Sequence, residues 1–194
     1  MLGGVILAGG KSSRMGTDKS LLTWPDSQQS LLEHCQKQLN LLCNNTFVSG
    51  SQHELGIADV IPNCGPLSGI HGAITHIEMN HTNITELLVV AVDMPDVSQN
   101  DLSYLLESGR KNHSLCSFEH CFLPLYIPLS VSVSEYLADV LNPCDTVAAR
   151  QLKQRQYSVK MMLDRLQGSQ IPPLTHTQLD NINTPEQWQK RCAQ

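Results

Sequence analysis

The chain has 194 residues, of which 41% are hydrophobic and only 16% charged, with 13 basic against 18 acidic side chains and a net charge of −5. That length buries a core without a metal or disulfide to support it, and the acidic balance excludes the basic footprint that holds nucleic acid or an anionic membrane. Seven cysteines with no Cys-x-x-Cys pair form neither a disulfide framework nor a zinc ribbon, so the expectation is reduced thiols in a cytoplasmic protein, without leader or membrane span.

The chain opens on Gly3-Gly4-Val5-Ile6-Leu7-Ala8, an apolar run without alternation, which reads as a strand covered on both faces. Ser30-Leu31-Leu32-Glu33 is a capping box, and Leu31, Leu32, Cys35, Leu39, Leu42 and Cys43 follow at helical spacing. Residues 46–50 read as a second strand and 58–61 as a third. A helix is predicted over 68–79, with an apolar stripe at Ile70, Ala73, Ile74 and Ile77. Residues 87–92 form the most apolar strand of the chain; it stops at Asp93-Met94-Pro95, and a helix begins near Ser98. Strands are expected at 115–117 and 122–127, and helices at 133–141, at 158–166 and from the Thr184-Pro185-Glu186-Gln187 cap. Strand and helix alternate through the first 110 residues, which predicts one α/β domain with a parallel sheet covered by helices.

The segment Leu7-Ala8-Gly9-Gly10-Lys11-Ser12-Ser13-Arg14-Met15-Gly16-Thr17-Asp18-Lys19 carries the most chemistry. It follows a buried strand directly, and ligands in open α/β sheets bind at the carboxyl ends of strands. Gly9, Gly10 and Gly16 remove side chains where backbone must approach a ligand, while Arg14 and Lys19 add two fixed cations. Backbone N–H groups plus cations at a strand-to-helix turn are what a polyphosphate requires. Two familiar loops fail on spacing: a Walker A loop ending at Gly10-Lys11-Ser12 needs glycine where Val5 stands, and Gly-x-Gly-x-x-Gly is absent.

Asp93 follows the most apolar strand, a position suited to holding Mg²⁺ together with phosphate and water; the competing reading is a cap for the next helix. Asp18, next to Lys19, reads as a group that orients the lysine. Gly65-Pro66-Leu67-Ser68-Gly69 at a helix entrance either lets a ligand approach the backbone or is a rigid turn. The histidines form no His-Glu-x-x-His, and Cys116, His120 and Cys121 lack a fourth zinc ligand. Trp24 and Trp188 read as packing residues.

Together these residues resemble the MobA family, the molybdenum cofactor guanylyltransferases of the nucleotidyltransferase superfamily. The resemblance is carried by Leu7-Ala8-Gly9-Gly10, Arg14-Met15-Gly16 and Asp18-Lys19, then by Gly65-Pro66-Leu67-Ser68-Gly69 and Val92-Asp93-Met94-Pro95. Ser158-Val159-Lys160 and Asn181-Ile182-Asn183-Thr184-Pro185-Glu186 extend it towards the C-terminus. It implies a three-layer, Rossmann-like GT-A-type α/β fold with a mostly parallel sheet, whose nucleotide-binding half spans about 1–110 and whose acceptor-binding half spans about 111–194. It further implies Mg²⁺-dependent transfer of GMP from GTP to molybdopterin-bound molybdenum cofactor, with release of pyrophosphate and delivery proteins as possible partners. Leu7, Ala8, Gly9 and Gly10 would then contact the nucleotide through backbone, and Ser49, Asn63 and Gly65 would line its site. Arg14 and Lys19 would neutralise the triphosphate, Asp93 would hold the metal, and Asn181 and Asn183 would face the pterin. Ser49 stands where the family usually has asparagine, and Asn63 where it has aspartate. The alternatives are a relative using CTP or UTP with another phosphate acceptor, and a catalytically weak nucleotide-binding protein. The implied acceptor phosphate is already an anionic nucleophile, so such a reaction needs alignment and charge neutralisation rather than a strong general base.

Overall fold

The computed structural model describes residues 1–9, 15, 18–25, 27–62, 64–142 and 157–193. Six strands, β1 (Leu2–Leu7), β2 (Asn45–Ser49), β3 (Glu86–Ala91), β4 (Cys116–Phe118), β5 (Cys121–Pro128) and β6 (Ser169–Ile171), form one sheet in the order β2-β1-β3-β5-β4-β6. Strands β2, β1 and β3 are mutually parallel, β5 runs antiparallel to both β3 and β4, and β6 is parallel to β4. The sheet is therefore mostly parallel with a single reversed strand, as expected. Its helices are α1 (Leu31–Asn40), α2 (Pro66–Asn80), α3 (Gln99–Asn112), α4 (Val131–Val140), α5 (Val159–Arg165) and α6 (Pro185–Cys192).

The central strands are apolar on both faces because both are covered. Alternate side chains point to opposite sides of a strand, and here Val5, Leu7, Leu87 and Val89 pack with Ile70, Ile74 and Ile77 of α2 and Leu137 of α4. On the other side Ile6, Leu88 and Val90 pack with Leu31 and Leu39 of α1 and Leu102 and Leu105 of α3. Two cores on one sheet make three layers. Each buried leucine or isoleucine contributes about 1.5–3 kcal/mol, so this double coverage is what fixes β1 and β3 at the centre. The Ser30–Glu33 capping box closes α1 as predicted, with Ser30 Oγ accepting from Glu33 N at 3.2 Å and Glu33 accepting from Ser30 N at 2.8 Å.

Two elements differ from expectation. Residues 58–61 form no strand; Ile57 alone bridges Ser49, through Ile57 N to Val48 O and Gly50 N to Ile57 O, both at 2.8 Å. The backbone of Ile61 is satisfied by Ser68 at the start of α2, whose Oγ accepts from Ile61 N at 2.7 Å and donates to Ile61 O at 2.8 Å. A helix side chain thus takes the place of a ladder. Conversely, β6 is a three-residue edge strand whose polar Ser169-Gln170 start carries no apolar alternation to announce it. Among the described residues no helix is long and apolar enough to cross a membrane.

Candidate active site

Parallel pairing in register brings three strand ends to one edge. Leu7 lies opposite both Ser49 of β2 and Ala91 of β3. Ala8 N then donates to Ser49 O at 2.9 Å, and Val92 N donates to Leu7 O at 3.1 Å, so the chain leaves β1 and β3 side by side. Ala8-Gly9 and Val92-Asp93 are neighbours for that reason alone. Gln52, on the loop after β2, donates from Nε2 to Ala8 O at 2.8 Å and ties the loops of β1 and β2 together.

Lys19 stands on a short 3-10 turn (Lys19–Leu21) that sequence periodicity cannot announce. Asp18 builds this turn: its Oδ1 accepts from Ser20 N at 3.0 Å and from Ser20 Oγ at 2.7 Å. It orients Lys19 through the backbone, as an N-cap. The Lys19 ammonium donates to Asp93 Oδ2 at 2.7 Å and to Asn183 Oδ1 at 2.8 Å, with the Lys19 and Asp93 side chains only 15% and 18% exposed. Residues separated by 74 and 164 positions thus meet at one nitrogen. The C-terminal segment is pinned again by Ile182 N, which donates to Asp93 O at 2.8 Å. Asn181 is exposed and Asn183 half-buried, so of this pair Asn183 is the one that meets Lys19.

Asp93 is not a helix cap. Helix α3 is closed by its own box, in which Ser98 Oγ accepts from Asp101 N at 3.2 Å and Asp101 accepts from Ser98 N at 2.9 Å. Asp93 therefore projects a carboxylate at the sheet edge, committed only to Lys19 among the described side chains. Mg²⁺ characteristically takes one or two protein carboxylates and completes its shell with phosphate and water. Asp93 offers one such carboxylate, and among the described residues no group of three or more His, Cys, Asp or Glu is placed to hold a metal. Cys116 is buried in β4, and Cys121 Sγ donates to Leu123 O at 2.8 Å. Burial pushes the Cys35 thiol up to about 12, reinforced by the nearby Asp93 charge, which leaves it no thiolate chemistry at neutral pH.

Ser49 is buried at the end of β2, 1% exposed, and its Oγ meets Asp59 Oδ1 at 3.5 Å. Gly69 of α2 allows that contact: a Cβ there would lie 2.4 Å from Ser49 Oγ and 3.4 Å from Asp59 Oδ1. Asp59 Oδ1 also lies 3.8 Å from where a Cβ on Gly9 would stand. Burial raises the Asp59 carboxyl above its ordinary value, and the Ser49 hydrogen bond offsets part of that rise. The sequence does not single out Asp59 because residues 58–61 read there as a strand. The available signal was that Asp59 is the only aspartate between β2 and the Gly65-Pro66 turn. Gly65 caps α2 by backbone alone at φ 71, a conformation glycine takes without strain. Gly10, Arg14, Gly16 and Asn63 lie outside the described residues.

Residues 4–142 match the MobA-like NTP transferase domain. A molybdenum cofactor guanylyltransferase from Xanthomonas euvesicatoria is 38% identical, over 96% of this chain and 92% of its own. A probable molybdenum cofactor guanylyltransferase from Rhodopirellula baltica is 35% identical over 56% of each chain. Among solved structures, molybdopterin-guanine dinucleotide biosynthesis protein A from Archaeoglobus fulgidus superimposes with a TM-score of 0.68 at 22% identity, over 98% of this chain and 96% of its own. The 2-C-methyl-D-erythritol 4-phosphate cytidylyltransferase of Thermus thermophilus shares the fold at a TM-score of 0.62 and 12% identity, over 97% and 96%.

Proposed function

This chain belongs to the MobA-like NTP transferase family, and from that membership we propose how its residues divide the work of guanylyl transfer. The reaction is transfer of GMP from GTP to molybdopterin-bound molybdenum cofactor. The acceptor phosphate oxygen forms a bond to the α-phosphorus of GTP, the bond from the α-phosphorus to the bridging oxygen breaks, and pyrophosphate leaves with the electron pair. The observation that carries the assignment of roles is the meeting of Lys19, Asp93 and Asn183 at the carboxyl edge of the sheet.

The backbone of Leu7, Ala8, Gly9 and Gly10 cradles the phosphates, and Lys19 and Arg14 neutralise them. Asp93 is the carboxylate that would hold Mg²⁺, which when bound supplies further positive charge to the phosphate oxygens. No side chain is asked to remove a proton, because the attacking oxygen is already anionic; the protein's task is alignment and charge. Asp59 takes the place assigned in sequence to Asn63. Its two oxygens are acceptors, and guanine offers N1–H and an amino group side by side, a pair that cytosine, uracil and adenine do not present. Ser49 holds that carboxylate, and Gly65 leaves room for the nucleotide beside α2. Asn183, released when Lys19 turns to phosphate, faces the acceptor with Asn181. We place the reaction in the cytoplasm, with the cofactor handed over by delivery proteins.

The test is a nucleotide panel read by thermal shift with Mg²⁺, followed by product analysis with GTP and molybdopterin-bound cofactor. A GTP-selective rise in Tm and formation of guanine dinucleotide with pyrophosphate are expected. A CTP-selective rise transfers the chain to a different substrate, and a folded protein with no rise at millimolar nucleotide overturns the enzymatic reading.

A further inference from the structure

We infer that Arg191 is a positioning residue for the acceptor: it seats helix α6 on the Asp93–Asp96 loop and thereby sets the placement of Asn183. The inference rests on the function proposed above. Arg191 Nε donates to Asp96 Oδ1 at 2.6 Å, and a terminal guanidinium nitrogen lies 2.5 Å from the same oxygen. The Asp96 side chain is 12% exposed and that of Arg191 32%, so the pair is largely shielded. Asp96 stands three residues beyond Asp93, on the turn before α3.

The helix converts that anchor into a position for Asn183. Residues three, four and seven apart share one face of a helix, which places Thr184, Gln187, Trp188 and Arg191 together. Gln187 Oε1 accepts from Asn183 N at 2.6 Å and from Thr184 N at 3.0 Å, while Thr184 Oγ1 accepts from Gln187 N at 3.3 Å. The backbone of Asn183 is therefore held by a side chain one turn away from Arg191. At the other end of the segment, Ile182 N is bound to Asp93 O. Asn183 hangs between two anchors, both on the loop that carries the proposed metal carboxylate.

Aromatic packing stiffens the seat. The Arg191 guanidinium lies 5.0 Å over the Trp24 ring, and Trp24 meets Trp188 edge to face at 4.9 Å. Trp24 follows Lys19 by five residues, so α6 is tied to the chain that leaves the phosphate loop as well as to the Asp93 loop. His34 closes the same cluster, its Nε2 lying 3.0 Å from Pro95 O. A lone surface ion pair does little; this one joins a helix, a cation-π contact and a capping box in series. Arg191 contributes no atom to the reaction and acts on the acceptor only through Asn183.

Arg191→Gln, Asp96→Asn and the double variant test the inference, with folding checked by circular dichroism. The KM for molybdopterin-bound cofactor should rise about 2- to 12-fold in each single variant, the ceiling set by loss of the Asn183 hydrogen bond itself, while GTP affinity stays within twofold. The double variant should be no worse than either single, because the two residues act as one unit. Arg191→Lys, which keeps the charge, should recover much of the loss. The two tryptophans of the chain both lie in this cluster, so Arg191→Gln should also red-shift the emission of the ligand-free protein. An unchanged acceptor KM, a fall in GTP affinity of equal size, or unchanged emission each overturns the inference. A wild-type protein that makes no dinucleotide product refutes the function proposed above, and the emission shift still reads the seating by itself.

Discussion

On one side of the Lys19–Asp93 pair stand the ends of three parallel strands; on the other stands a C-terminal segment that runs on for ten residues and more beyond the edge strand β6. The first side is pinned by the sheet: β1, β2 and β3 are in register, and their cores on both faces leave the loop starts no freedom. The second side is held by the side chains of Asn183 and Arg191, by Trp188 against Trp24 and by the backbone bond from Ile182. The charges differ too. The strand ends and the turn after them supply Lys19, Asp59 and Asp93, whereas the C-terminal segment offers neutral amides at Asn181 and Asn183. A highly charged triphosphate demands fixed counter-charge at fixed distance, while an acceptor must enter and leave. On the division of roles proposed above, rigidity and charge stand together on the nucleotide side.

If the division holds, substitutions on the strand side should act on turnover and nucleotide, and those on the C-terminal side on acceptor. Asp93→Asn should have the largest effect, a loss of about 10³-fold in kcat, in line with removal of a metal or a charge-stabilising group from a reacting phosphate. The fold should persist, since the side chain lies at the sheet edge; steady-state kinetics and a melting curve decide, and near-wild-type turnover removes the metal assignment. Lys19→Ala should weaken the triphosphate interaction by about 1.5–3 kcal/mol, or about 10- to 150-fold, read by calorimetric titration of GTP. Equal loss in acceptor affinity would blur the two sides.

Asp59→Asn should cost about 1–3 kcal/mol of the preference for GTP over other nucleotides, measured across the same panel, with little loss for their shared triphosphate. A pH dependence follows. Burial favours the protonated form of Asp59 in the folded protein, so the native state holds a proton to a higher pH than the unfolded chain does. The stability linked to that proton is fully present below the unfolded carboxylate pKa and is lost as pH rises through the raised folded value. Guanine recognition runs the opposite way, because the ionised carboxylate is the acceptor. GTP selectivity should therefore rise with pH through that window as ligand-free stability falls, and Asp59→Asn should flatten both profiles. Asn183→Ala should have the smallest effect, about 0.5–1.5 kcal/mol for one neutral hydrogen bond, seen as an acceptor KM raised about 2- to 12-fold with GTP affinity kept. A larger effect on GTP than on acceptor would reverse the comparison.

The legible parts of the chain are those whose signal is local. Apolar runs gave β1 and β3, capping boxes gave the starts of α1 and α6, and the Val92-Asp93 junction gave Asp93. Ser68 shows where local reading fails: its hydroxyl satisfies both backbone groups of Ile61, so a segment with strand composition is held as a loop. Asp59 was hidden by the same error, since its role depends on a loop folding back to Ser49 and Gly9. Trp24 and Trp188 read as packing residues and do pack, but against each other and under Arg191.

By itself the sequence determined the class of fold and the family, because burial patterns, glycine spacing and fixed charges act over a few neighbouring residues. Only the tertiary structure decided which groups meet. Parallel register put Ser49, Ala8 and Asp93 at one edge, and the return of the C-terminal segment set Asn183 on Lys19 across 164 positions. The physical reason is that such contacts depend on loop closure and packing between distant elements, and no short run of side chains encodes where a remote partner will come to rest.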